Sequence, residues 1–108
     1  MEGVSVWNGV RGFETHVEFA GGLIRIVMLE VAGSATILRI RGDEAIVAEA
    51  ALAMRITDEQ GGLYCWLQAQ GGAGMFHGVR DVVFAGSPPY GAEKLFVSFG
   101  AARVIVPL

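Results

Sequence analysis

The sequence predicts an all-β fold, an antiparallel β-sandwich of seven to nine strands with room for one short helix. Three observations predict it. Glycine occurs 16 times in 108 residues, and its clusters recur about every 8–12 residues, the strand spacing of sandwiches and barrels. The segments between the clusters alternate apolar and polar side chains, as half-buried strands do. The breaks carry turn chemistry: Asn8-Gly9 suits a tight hairpin with positive φ, and Asp58 to Gly62 suits a longer loop. Neither proline of Ser87-Pro88-Pro89-Tyr90-Gly91 has an N–H to give a central strand.

Taken in order, Phe13 to Ala20 is the cleanest strand, with Phe13, Thr15, Val17 and Phe19 opposing Glu14, His16, Glu18 and Ala20. Leu23 to Val31 is apolar on both faces: Leu23, Val27, Leu29 and Val31 on one, Ile24, Ile26 and Met28 on the other. A strand of that kind is covered on both sides. In Thr36 to Arg41, Leu38 and Ile40 oppose Arg39 and Arg41. Asp43 to Met54 fits two readings. Asp43 can cap a helix rich in Ala, yet Ile46, Ala48, Ala50, Leu52, Met54 and Ile56 also alternate. The preferred reading makes Ala51 to Thr57 extended, and a short helix at Asp43 to Glu49 leaves the class unchanged. Leu63 to Gln70 alternates too. Its expected core face is Leu63, Cys65, Leu67 and Ala69, with Tyr64, Trp66, Gln68 and Gln70 outward. Leu95, Val97 and Phe99 share one face, as do Val104, Val106 and Leu108.

Composition narrows the function. Hydrophobic residues make up 53% and charged residues 18%, with a net charge of −3. That much apolar surface argues against disorder. The negative charge and the lack of a basic cluster argue against nucleic acid. The longest uncharged stretch, Gln60 to Val79, carries six Gly and three Gln, so no membrane span is expected. Cys65 is the single cysteine, which excludes an internal disulfide. Met1 to Val4 shows no signal-peptide pattern, and a cytoplasmic location is expected. One domain spanning 1–108 is expected from the length.

The run Ala53 to Tyr64, with Thr57-Asp58-Glu59-Gln60-Gly61-Gly62-Leu63-Tyr64 at its centre, is similar to a "Thr-Asp-Asp-x-Gly-x-x-Tyr" hairpin. That hairpin belongs to uncharacterised bacterial immunoglobulin-like sandwich domains of the actinobacterial type. Val82 to Pro89, followed by Ala92-Glu93-Lys94-Leu95, resembles the same family's "Phe-x-Pro-x-x-Pro-x-Ala-x-x-Leu" stretch. The chain has Glu59 for the family's second Asp and Gly61-Gly62 for its "Gly-Thr". The resemblance covers about half the chain and implies an immunoglobulin-like sandwich, without an activity or a cofactor.

No catalytic motif is present, and no metal or cofactor is expected. Glu14, His16 and Glu18 are ligand types on one strand face, but the preferred reading is a solvated face paired with Arg25, Arg39 or Arg41. Cys65 and His77 would make a nucleophile and base, yet Cys65 falls on the expected core face. Asp58 and Glu59 with loop carbonyls offer a calcium reading, against one of plain turn geometry. Gly71, Gly72 and Gly74, with His77, offer a ligand loop, against the preferred reading of a flexible hairpin loop. Tyr64 and Trp66, outward beside glutamines, suit a protein interface, ordinary packing under a loop, or a sugar ring, and Trp7 can add to that surface.

Ile24, Ile26, Met28, Ile37, Tyr64, Trp66, Val82 and Phe96 all fall off the cleaner core face. A surplus of that size marks an interaction surface. The leading expectation is therefore a non-catalytic interaction module that self-associates, as a homodimer, through an apolar sheet face with Tyr64, Trp66, Ile24, Ile26 and Met28. The alternative is a module for an unidentified small molecule or carbohydrate, using the aromatics and the glycine loop.

Overall fold

A computed structural model describes residues 9–71 and 77–108 of the chain. Eight strands and one helix follow in the order β1 (Gly9–Phe19), β2 (Gly22–Ala32), β3 (Ala35–Gly42), α1 (Glu44–Ala53), β4 (Met54–Asp58), β5 (Cys65–Gln70), β6 (Val79–Ala85), β7 (Lys94–Phe99) and β8 (Ala102–Pro107). They form two antiparallel sheets, of five strands in the order β1-β2-β3-β6-β5 and of three in the order β4-β7-β8. The fold is an all-β sandwich, as its strand grammar requires.

The two sheets share one core. Ile24, Ile26, Leu29, Val31, Leu38, Ile40, Val82 and Phe84 line the larger sheet, and Met54, Ile56, Leu95, Val97, Phe99 and Val106 line the smaller. Phe19 and Phe99 meet between them at 6.2 Å with rings tilted by 58°. The sheets approach at both margins. Arg11 of β1 donates to the Pro107 carbonyl of β8, and the Tyr64 hydroxyl, just ahead of β5, donates to Asp58 at the end of β4.

Two sequence expectations change here. The first concerns the helix, which runs on to Ala53 through residues expected to be extended. Asp43 caps it, accepting the N–H groups of Ala45 and Ile46 at 3.1 and 3.4 Å. Val47, Ala50 and Ala51 then sit at helical spacing against the core, and the small alanines let α1 lie between the sheets. Leu52, which an extended strand would have buried, is 63% exposed.

The second change concerns strand phase. Ile24 and Ile26 are both 0% exposed, as is Val82; they belong to the core and not to an outer interface. For Ile24 and Ile26 the reason is a β-bulge. Opposite β3, the step from Ile26 to Met28 spans two residues where β3 spans one. The extra residue, Val27, switches the alternation, so Ile24, Ile26, Leu29 and Val31 all point inward. Met28 stays on the outer face, half-buried.

Candidate functional site

The same device inverts β5. Its bulge lies between Trp66 and Gln68. Tyr64 and Trp66 turn inward and pack on the core, while Leu63 is 89% exposed, Leu67 is 55% exposed and Cys65 lies at the surface. Both aromatic polar ends are satisfied there. The Trp66 indole N–H donates to the Ala51 carbonyl at 2.9 Å, near the end of α1. The Tyr64 hydroxyl donates to Asp58 Oδ2 at 2.8 Å. Burial, and then this carboxylate, hold the Tyr64 phenol above its ordinary range. Neither ring is offered to a sugar or a partner.

Asp58 is the hub of that hairpin. Its other oxygen accepts the N–H groups of Gln60 at 2.8 Å and Gly62 at 3.0 Å. Gly61 closes the turn at φ +75°, where a side chain would be strained. Thr57 donates to the Gly62 carbonyl at 3.1 Å, and Glu59 accepts the N–H groups of Glu93 and Lys94. The residues that carry the Thr-Asp-x-x-Gly-x-x-Tyr pattern therefore form one hydrogen-bonded staple, in which both carboxylates are engaged by protein donors rather than directed at an ion.

The candidate site is the outer face of the five-stranded sheet, on which no described element packs. It has two halves. On the apolar half, Val83 lies opposite Ile37 and Gln68, with the bulged Leu67 beside them. Ala85 lies opposite Ala35 and Cys65 in the next row. Glu30 interrupts the first row before Val10, which is 62% exposed.

The polar half is a lattice of arginines. Arg39 lies opposite Asp81 and holds it with two bonds, at 2.7 and 3.0 Å, which raises the Arg39 pKa. Arg25 lies directly opposite Arg41, a repulsive placement relieved by Glu14 at 3.2 Å from Arg25. His16 stands 3.6 Å from the same Glu14 oxygen. Glu14 and His16 are thus in contact with each other and with Arg25, and among the described residues no three His, Cys, Asp or Glu side chains gather to hold a metal. A cavity of about 570 Å³ opens over this half, lined by Val27, Arg39, Arg41, Gln70, Gly71, Val79 and Asp81.

Gly71 of the expected ligand loop lines this cavity, and His77 is exposed at the far side of the loop. Gly72 and Gly74, like Trp7, lie outside the described residues. The described residues that follow the loop are held where β6 begins. Glu44 at the start of α1 pairs with Arg80 at 2.5 Å and accepts the Gly78 N–H at 2.7 Å. The Arg80 guanidinium, and then the Gly78 N–H, hold the Glu44 carboxyl at about 2. Gly78 has φ +76°, and a Cβ there would strike the Gly42 carbonyl. Cys65 opens β5 opposite Ala85, whereas His77 follows the far end of the same hairpin. They are separated by five residues of strand, roughly 17 Å at the usual rise, so they form no dyad.

Sequence reasoning missed Arg41 with its cavity and the Glu44–Arg80 clamp. The signal for the first was the Arg39-x-Arg41 alternation. The second joins residues 36 positions apart, and only the fold brings them together.

No protein-family profile, curated protein or solved structure matches this chain. No helix among the described residues is long and apolar enough to cross a membrane.

Proposed function

We propose that the chain is a non-catalytic interaction module that pairs with a second copy through the outer face of its five-stranded sheet, at the β5 corner. One observation carries this reading. Of the four edge strands among the described residues, β1 carries Arg11, Glu14 and Glu18, β4 carries Arg55 and Asp58, and β8 carries Arg103 and Pro107. Charge and proline on an edge guard it against pairing with other chains. β5, Cys-Trp-Leu-Gln-Ala-Gln, has neither. Its exposed Cys65 and Leu67 continue into Val83, Ala85 and Ile37, with Leu63 exposed just ahead of the strand. A two-fold arrangement sets this patch against itself, the commonest arrangement in soluble oligomers.

The immunoglobulin-like relationship, a bacterial source and a cytoplasmic setting belong to the same reading. Two antiparallel sheets around one core support the first. The Asp58–Tyr64 staple gives physical meaning to the residues shared with the bacterial domains. An exposed free thiol at Cys65 suits a reducing compartment.

Light scattering or sedimentation at micromolar concentration tests the pairing. The expected mass is twice the 11.4 kDa of the chain. Leu67→Glu, a change at a surface position, is expected to return the monomer with an unchanged circular dichroism spectrum. A strict monomer for the natural chain overturns the reading. It would turn attention to a small polar ligand in the Arg41–Asp81 cavity, whose volume of about 570 Å³ falls in the range of ligand pockets, roughly 300–1,000 Å³. Tyr64 and Trp66 have no part in that second reading.

A further inference from the structure

The outer face of the other sheet differs in charge from the rest of the molecule. By register, Arg55 of β4, Ser98 of β7 and Arg103 of β8 form one row across three strands. Thr57, Phe96 and Ile105 form the next row, with Lys94 opposite Pro107 beyond it. The face thus carries Arg55, Lys94 and Arg103, three of the eight cations of the chain. Among the described residues it carries no carboxylate side chain, although the chain is net −3. Asp58 at the end of β4 is buried and engaged in its turn. A groove of about 380 Å³ lies over the first two rows, lined by Arg55, Ile56, Thr57, Phe96, Ser98 and Arg103.

Both guanidinium groups are held in place without being neutralised. One Arg55 nitrogen, Nη1, donates to the Leu52 and Met54 carbonyls at 3.1 and 2.6 Å, around the end of α1. The Arg103 guanidinium stands 4.7 Å from the centre of the Phe96 ring, a contact that leaves its N–H groups unspent. Among the described residues neither arginine has a carboxylate partner. Ser98 lies between them, its hydroxyl only 3.5 Å from the Arg55 carbonyl, a weak bond that a better acceptor would replace. Two strand spacings, about 9.6 Å, separate the two arginine backbones.

We infer that this groove binds a phosphate-type oxyanion between Arg55 and Arg103, with Ser98 as a third donor. The geometry selects the class. A carboxylate offers two acceptor oxygens confined to one plane. Donors arriving from two sides and from the strand between them need acceptor oxygens in several directions, which a tetrahedral anion has. Guanidinium forks match phosphate oxygens in pairs, and Lys94 adds positive potential nearby. The ligand is either inorganic phosphate or a phosphate monoester.

The test is an amide NMR titration of the full chain at low ionic strength with inorganic phosphate, phenyl phosphate and acetate. Saturable shifts are expected at Arg55, Ser98 and Arg103 with both phosphates, and none with acetate at matched ionic strength. Tighter binding of phenyl phosphate identifies a monoester, whereas equal affinity identifies the free ion. Arg103→Gln is expected to weaken binding roughly tenfold, the loss of one charge-assisted pair. Arg41→Gln on the opposite sheet is expected to leave it unchanged and so separates this site from general charge. The variant spectra themselves show whether each still folds. Absence of saturable shifts, equal response to acetate, or equal weakening by Arg41→Gln overturns the inference.

Discussion

At Tyr64 a ring with a hydroxyl takes the inward place that hydropathy offers to its aliphatic neighbours. Leu63-Tyr64-Cys65-Trp66-Leu67 offers two alternating sets, one aliphatic and one aromatic, and simple hydropathy favours the aliphatic set. The aromatic set is buried because each ring buries more area and each polar end finds a fixed acceptor, Asp58 for Tyr64 and Ala51 for Trp66. Removing the hydroxyl leaves a buried carboxylate oxygen one donor short. Tyr64→Phe is therefore expected to cost about 2 kcal/mol, within the range for an orphaned polar group. Urea unfolding checks it. A change below about 0.5 kcal/mol would mean that water replaces the phenol. The alternation itself was legible from the residues. Its phase was not, because the partners of Tyr64 and Trp66 lie on other elements.

Among the elements, α1 does more than fill the core. Its first residue, Glu44, reaches across to Gly78 and Arg80, and so fastens the helix to the foot of the β5–β6 loop. The Glu44 carboxyl has an ordinary value of 4.5 and is held at about 2 in the fold. A depressed carboxyl contributes stability that is full above its unfolded pKa and is lost as pH falls through the folded one. The Glu44 contribution is thus expected to be complete above pH 4.5 and gone near pH 2. Melting temperatures of the natural chain and Glu44→Gln should differ at neutral pH and converge across that window. A constant gap would show that the carboxylate charge is not what matters. The helix was half legible: Asp43 and the alanines announced it. Its end was hidden because Ala51 to Ala53 suit either conformation, and packing of Ala50 and Ala51 between the sheets decided the matter.

Over the whole molecule, charge is sorted by face. The outer face of the large sheet mixes Arg25, Arg39 and Arg41 with Glu14, Glu30 and Asp81, and leaves one corner apolar. The outer face of the small sheet is cationic. The two proposed contacts are accordingly expected to respond differently to salt. Apolar burial at the β5 corner is indifferent to moderate salt, while screening weakens an exposed cation–anion contact. Sedimentation and phosphate titration at low and high ionic strength should show an unchanged dimer and a weakened phosphate complex. A dimer that dissociates in salt would place its main contacts on the arginine half of the face.

The sequence by itself determined the class: turn glycines, prolines and period-two alternation are local properties, and they yield an antiparallel sandwich whatever its details. It also indicated a surplus of apolar residues beyond one inner face. Only the tertiary structure decided where that surplus goes. Bulges at Val27 and Leu67 switch the phase of two strands, taking Ile24 and Ile26 into the core and leaving Leu67 outside. A bulge exists only relative to the strand it faces. Which face of β2 or β5 is buried is therefore a property of pairing, and no stretch of sequence holds it alone.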